Sequence, residues 1–301
     1  MWTFCVLNWD GRDDALRCIA AMRAMRGTFS VVVSDNGSAD GSVEAIRAAH
    51  SEVTVIENRE NLGFSEGNNV AIRHALGQGA EWVVLLNNDA EVEPGTLEAL
   101  QAAAARHPRA GVLAGKLLHA GGGGVQWAGQ RVALLTGYSG RPRGHGRADA
   151  FAYRVEGATD RAVGALMAVS RPAIEAAGLL DTDLFAYVED VDWSLRIRAA
   201  GFECVFVPGA RAAHRVSAST GGASASTHTV YYGVRNTLAV LERHRPLGRA
   251  GTALRRGSVL ASFLVHAGLA LRSRAAVEAV LEGYRDARGG RLGVRGGGSP
   301  V

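Results

Sequence analysis

Asn87, Asn88, Asp89 and Glu91 crowd the end of an apolar run, Trp82 to Leu86, in the stretch LLNNDAEV. Amides and carboxylates at the end of a buried strand are costly to desolvate unless something pairs with them. In an open α/β sheet that place faces the crevice where ligands bind. A divalent cation holding a diphosphate would supply the partner, because hard cations take oxygen ligands. The same residues also read as a strand end whose aspartate caps the next helix, with Pro94 at the helix start. The stretch alone leaves both readings open.

Other places carry residue types of the same kind. Asp35 ends the run VVVSD and precedes Asn36 and Gly37. Its carboxylate there can accept the imide N–H of a uracil or thymine ring, or close an Asx turn. The segment NLGFSEGNN, from Asn61, brings Gly63 and Gly67 to a helix start, whose backbone N–H groups favour phosphate. Glu189, Asp190 and Asp192 stand at the mouth of another helix, flanked by Phe185, Tyr187 and Trp193. Three acids in a first turn suit the helix dipole. The aromatic flanks favour a second role, because a semi-buried carboxylate beside others has a raised pKa and serves as a general base. His214, in VPGARAAHR, gains meaning only if it meets Asp89 in space; imidazole, carboxylate and diphosphate oxygens are a normal ligand set for manganese.

The elements that must position these groups alternate regularly over the first hundred residues. Strands are expected at 3–7, 31–34, 53–57 and 82–86, and helices at 13–26, 42–49, 65–76 and 94–106. Short β-rich runs alternating with helices imply a parallel sheet. Each run ends in polar punctuation, so the strand ends line one edge. Beyond them, Gly121 to Gly124 and Thr136 to Arg147 read as Gly- and Arg-rich loops. Strands are expected at 163–169 and at 203–207, ending before Pro208, with helices at 171–177 and 190–200. Leu254 to Arg288 reads as one or two amphipathic helices. They either pack on the main domain or meet anionic lipid through Arg255, Arg256, Arg272, Arg274 and Arg285. The expected organisation is a domain over 1–240, a helical extension over 241–288, and a Gly-rich tail over 289–301 too poor in apolar residues to order itself.

Composition narrows the class. The 301 residues are 47% apolar and 21% charged, with net charge +4. That is an ordinary globular balance, mildly suited to anionic ligands. No basic stripe interleaved with aromatics appears, so no nucleic-acid partner is expected. Cys5, Cys18 and Cys204 lack metal-type spacing and read as reduced core residues. The chain opens straight into a strand pattern and holds no uncharged apolar run of about 18 residues, so neither a secretory signal nor a bilayer-spanning helix is expected.

Taken in order, VLNWDG, VVVSDNGSADGS, ENRENLGFSEGNN, LLNNDAEV, VGALMAVSR, GLLDTDLFAYVEDVDWSLRIRAAGF, VPGARAAHR and YYGVRN resemble a family 2 glycosyltransferase with the GT-A fold. Within that family the likeness is to bacterial rhamnosyltransferases and galactofuranosyltransferases, over about residues 3 to 240. The resemblance implies an α/β domain with a mainly parallel sheet. It implies an inverting, Mn²⁺- or Mg²⁺-dependent transfer of a sugar from a UDP- or dTDP-linked donor to a glycan or lipid-linked acceptor, in the cytoplasm or on the inner face of the plasma membrane. It assigns Asp190, in its pair with Glu189, as catalytic base, and Asp89 and His214 as metal ligands. Asp35, with Asn8 beside it, would read the pyrimidine. Asn61, Gly63, Asn68, Asn87, Gly164 and Asp192 would touch substrate. Asp10 stands where this group commonly has Asn, and Thr159 to Arg161 departs from its pattern. Two other classes compete. A nucleotidyltransferase needs a Gly-rich, basic loop after the first strand, and NWDGRDD offers only Gly11 and Arg12. A non-catalytic nucleotide-sugar-binding module would keep the fold and lose chemistry, against which the retained acids argue.

Overall fold

The computed structural model describes residues 1–133, 142–215 and 227–297. Part of the loop expected over 136–147, and the last four residues, lie outside them.

Parallel strands β1 (Trp2–Asn8), β2 (Phe29–Asp35), β3 (Thr54–Glu57) and β4 (Trp82–Asn87) alternate with helices α1 (Arg12–Met22), α2 (Ser42–Ala49) and α3 (Gly63–Gly77). The strands are apolar on both faces because helices cover both: Phe4, Val6, Val33 and Val84 are fully buried. Register then does the positioning. Asn8 pairs with Asp35, Asp35 with Glu57, and Leu7 with Asn87, so the polar strand ends stand level at one sheet edge.

The second half of the sheet is mixed. After β5 (Ala90–Val92) and α4 (Thr96–Arg106) come β6 (Ala110–His119), β7 (Val125–Trp127), β8 (Gly157–Ala158) and β9 (Leu166–Ser170). Helices α5 (Arg171–Ala177) and α6 (Glu189–Ala199) lead to β10 (Glu203–His214). The spatial order is β3-β2-β1-β4-β9-β6-β10-β5, with β9 antiparallel to both β4 and β6. Because β9 runs backwards, its start, Leu166, lies opposite Leu86. The residues just before it, Gly164 and Ala165, are thereby delivered to the edge where Asn87 ends.

Three expectations are corrected here. The strand expected to stop before Pro208 continues to His214. Its register against β6 shifts between Val207 and Arg211, and the proline, which has no N–H to give a ladder, sits in that irregularity. Helix α4 starts at Thr96 rather than Pro94, which lies in the preceding turn. The tail is docked as far as it is described: Gly293 N donates to the Asp183 carbonyl, Arg295 N donates to the Tyr232 hydroxyl, and the Arg295 guanidinium lies 4.7 Å from the centre of the Tyr231 ring. Aromatic and carbonyl partners on the helices hold a segment whose own composition could not.

Helix α7 (Thr227–His244) runs across residue 240 without a break. With α8 (Arg249–Val265), a short π-helical stretch (His266–Ala270) and α9 (Arg274–Arg288) it builds a separate small core of Tyr231, Val234, Leu238, Val259 and Val280. Gly283 permits the α7–α9 approach: a Cβ there would lie 2.4 Å from the Tyr231 carbonyl oxygen. Among the described residues no helix is long and apolar enough to cross a membrane.

Candidate active site

A cavity of about 620 Å³ opens at the polar sheet edge, between the strand ends, the start of α6 and one face of α7. Asn61, Gly63, Asn87, Asp89, Gly164, Glu189 and Asp190 all line it.

The β4 end and the β10 end meet here. His214 pairs with Ala90 across the β10–β5 ladder, and Arg215 N donates to the Asp89 carbonyl. This brings His214 Nε2 to 3.0 Å from Asp89 Oδ1, with the Asn87 amide 3.3 Å from the same nitrogen. On the other side of the ring, Nδ1 lies 2.8 Å from Gln126 Oε1 on β7. An Nδ1–H donated to Gln126 leaves the Nε2 lone pair facing Asp89, the arrangement a metal-ligating histidine needs. Carboxylate and imidazole fit a divalent cation. Among the described residues no group of three His, Cys, Asp or Glu side chains could hold a metal by itself. Ligand oxygens would therefore have to complete the coordination.

Asp190 sits in the first turn of α6, where the dipole favours its charge. Its Oδ2 accepts from Gly164 N at 3.2 Å, and its Oδ1 lies 3.3 Å from Arg161 Nη1. The carboxylate is thus oriented by the turn before β9. Glu189, its neighbour, is buried, and Oε2 has no hydrogen-bond partner. Burial, then the charge of Asp190, pushes the Glu189 carboxyl up to about 8. Glu189 therefore keeps its proton at neutral pH, beside a carboxylate that accepts hydrogen bonds from Gly164 and Arg161.

Asp192 contradicts its expected role. Its side chain is 0% exposed and points away from the cavity. Arg196 Nε lies at 2.7 Å, His244 Nε2 at 2.9 Å and Arg243 Nη1 at 3.0 Å. Burial alone would raise its pKa, but the His244 contact and the two guanidinium groups bring it down to about 2. It ties α6 to α7.

The phosphate expectation at the start of α3 is corrected as well. Phe64 N and Ser65 N both donate to the Phe185 carbonyl, and Gly63 N donates to Asn61 Oδ1. Those amides already have partners. Gly63 is needed for a different reason: its φ is +77°, and a Cβ would lie 2.5 Å from the Phe185 ring.

Asn8, Asp35 and Asn68 stand behind the lining. Asp35 is buried, with Oδ2 accepting from Asn8 Nδ2 and the Ser38 hydroxyl, and Oδ1 from Ser38 N. Asn8 Oδ1 in turn accepts from Asn88. The chain Asp35–Asn8–Asn88 therefore crosses three strand ends and braces the edge. Asn68 donates to the Phe64 carbonyl within its own helix.

Two residues at the site escape a reading of the chain alone. Arg161 falls in the stretch that departs from the pattern of the family, and nothing in the sequence joins it to Asp190. Asn236, in YYGVRN, has no evident role until the loop before α6 is seen. Phe185, Tyr187 and Val188 all have φ between 60° and 71°. Such backbone is strained for bulky or β-branched residues and persists only when its surroundings hold it. Asn236 Nδ2 donates to the carbonyls of Leu184, Ala186 and Tyr187, each at 2.8 Å. Arg235 adds a bond to the Leu184 carbonyl. Asn236→Ala should remove the side-chain donor from the Ala186 and Tyr187 carbonyls, Leu184 keeping Arg235, and cost about 1–3 kcal/mol. Denaturant melts of the two proteins test this, and an unchanged midpoint would remove Asn236 from the support of Asp190.

Residues 4–165 match the family described as Glycosyl transferase family 2. An N-acetylglucosaminyl-diphospho-decaprenol L-rhamnosyltransferase of Mycobacterium tuberculosis is 32% identical over 279 residues, covering 84% of this chain and 89% of that protein. The chain belongs to glycosyltransferase family 2. Solved structures agree on the fold. Staphylococcus aureus TarS 1-349 superposes with a TM-score of 0.61 over 95% of this chain and 80% of that one, at 16% identity. The mannosyltransferase PcManGT of Pyrobaculum calidifontis, solved with GDP-Man and Mn²⁺, gives 0.60 over 96% and 82%, at 19% identity. The mixed sheet with its polar edge is the GT-A fold, and this family 2 protein is a glycosyltransferase.

Proposed function

We propose that this glycosyltransferase moves a sugar, rhamnose being favoured, from a dTDP- or UDP-linked donor to a hydroxyl of a lipid-linked glycan in cell-envelope synthesis, with inversion at the anomeric carbon. The observation that carries the reading is one cavity lined both by an oriented Asp190 and by the Asn87–Asp89 strand end beside His214. The mycobacterial rhamnosyltransferase, whose name contains a diphospho-decaprenol-linked sugar, supports the choice of sugar and acceptor.

Asp190 takes the proton of the acceptor hydroxyl, and that oxygen displaces the diphosphate from the opposite face of the sugar. Gly164 N and Arg161 keep the carboxylate aimed during this step. Glu189, protonated, can donate a hydrogen bond to the acceptor without competing for its proton. Asp89 and His214 would hold Mn²⁺ or Mg²⁺, with Gln126 setting the imidazole tautomer. A divalent ion there supplies positive charge to the leaving diphosphate. Asn61, Gly63, Asn87 and Gly164 contact the donor, and the Asp35–Asn8 pair shapes the pyrimidine end. Peripheral contact with the inner face of the plasma membrane belongs to the same proposal. Leu254, Val265 and Leu269 on the outer helices are 77%, 57% and 74% exposed, and Leu269 is followed in the chain by Arg272 and Arg274, whereas Arg255 is buried and cannot meet lipid. Apolar side chains beside cations suit an anionic lipid surface.

Calorimetric titration with dTDP-rhamnose and UDP-sugars, each with and without Mn²⁺, tests the reading. Donor affinity should rise with the metal, and Asp89→Ala should lose at least about tenfold of that gain, since even outer-shell partners of a metal are worth 10–100-fold. Equal donor affinity with and without metal would remove Asp89 and His214 from this role.

A further inference from the structure

The cavity changes character along its length. At the strand ends it is lined by Asn36, Asn61, Asn87 and Asp89. Beyond Arg161, Glu189 and Asp190, the described lining holds no Asp, Glu, Lys or Arg. There α6 contributes Val191 and Leu195, and Val132 joins them. Helix α7 supplies one stripe, running from His228 through Tyr232, Gly233 and Thr237 to Val240 and Leu241. At 1.5 Å per residue this stripe is about 20 Å long. Val191, Leu195 and Val240 also form a small apolar cluster with Leu184, so the arm is bordered by packed hydrocarbon.

A nucleotide sugar is polar throughout and has the amide-rich end available. The polar side chains of the arm are few and partly engaged: the Tyr187 and Thr229 hydroxyls bond each other at 2.9 Å, and the Tyr232 hydroxyl accepts from Arg295 N. Against Val132, Val191, Leu195, Val240 and Leu241, hydroxyl groups of an acceptor sugar would lose their water without gaining partners, which costs free energy for each one. The group that belongs there is hydrocarbon, and it must be continuous with a hydroxyl at Asp190. We infer that the arm between α6 and α7 is the binding site for the isoprenoid chain of the acceptor, next to its attachment to the polar head. This inference rests on the reading above, in which Asp190 receives the acceptor's proton.

The test uses the full chain and two probes with the same head group, farnesyl phosphate and isopentenyl phosphate, titrated calorimetrically below the micelle concentration of the longer one. Each buried carbon is worth roughly fourfold in affinity, so burial of three of the extra carbons makes farnesyl phosphate about sixtyfold tighter. Thr237 is half-buried in the arm. Thr237→Trp fills the arm, and Thr237→Asp places a carboxylate in it at little change in size. Both should weaken farnesyl phosphate at least tenfold while leaving isopentenyl phosphate and nucleotide-sugar binding as in the parent. The nucleotide-sugar titration also reports that each variant is folded. Equal affinity for the two probes, or a folded pair of variants that both bind farnesyl phosphate like the parent, would overturn the inference. So would phenyl phosphate binding more tightly than farnesyl phosphate, which would give the arm to an aromatic group. Absence of nucleotide-sugar binding in the parent chain is a separate result, and it counts against the glycosyl-transfer reading itself.

Discussion

Asp190→Asn is expected to bind the nucleotide-sugar donor normally and to transfer its sugar about 10²- to 10⁴-fold more slowly, the usual contribution of a positioned general base. The amide keeps the shape of the carboxylate and an oxygen to accept from Gly164 N, which the parent holds at 3.2 Å. It cannot take a proton from the acceptor. The loss should appear in kcat, with donor affinity measured separately by calorimetry. Its neighbour gives the control. Glu189 is buried, its carboxyl is pushed up to about 8, and its Oε2 has no hydrogen-bond partner. It therefore holds its proton at neutral pH and cannot serve as the base there. Glu189→Gln should reduce the rate far less than Asp190→Asn. Near-normal turnover by Asp190→Asn, or a deeper loss in Glu189→Gln, would exchange the two roles.

Asp192→Asn should cost stability without touching the chemistry. A buried carboxylate facing two guanidinium groups and an imidazole cannot be neutralised without leaving charge unpaired, typically about 3–5 kcal/mol. The lower end applies here, because Arg243 is 39% exposed and keeps a second partner in Asp181. The pH dependence has a definite sign. The folded pKa lies at about 2, below the unfolded value near 3.9, so this contribution is present above pH 4 and is lost as the pH falls from about 4 through about 2. Urea unfolding at pH 7 and at pH 3 measures both parts. The variant should be less stable at pH 7, and the gap should narrow at pH 3. A gap that is absent at pH 7, or that stays constant with pH, would remove the ion cluster from the account.

Much of the site could be read from the chain, for a specific reason. In a parallel sheet every strand end that follows an apolar run arrives at the same edge. Polar residues just after such runs, at Asn8, Asp35 and Asn87, are therefore collected without any long-range information. Strand β6 was not legible in this way. Ala110–His119 is buried on both faces and rich in alanine and glycine, so it shows neither alternation nor β-branched runs. The continuation of β10 past Pro208 was hidden too, because the irregularity that accommodates a proline depends on the partner strand. That extension carries His214 to Asp89, an encounter across 125 positions of chain that no local pattern encodes.

Asp190 and Asp192 mark the same boundary. Side by side in sequence they are one acidic cluster. On a helix of 3.6 residues per turn, two positions apart means about 200° apart, so one faces the cavity and the other the ion pairs of α7. Which of the two faces the cavity is settled only when α7 packs against α6.

The sequence by itself determined the alternating architecture, the polar sheet edge and the family, because these follow from local periodicity and from the order of short motifs. Tertiary structure alone decided which acid is oriented and which is sealed, how the helix-start amides of α3 are used, and how Asn236 holds the strained turn before α6. Those outcomes depend on what each group meets across the fold. The free energy of a carboxylate, an amide or a strained backbone is set by its partners, and the chain brings partners from distant positions together only when it folds.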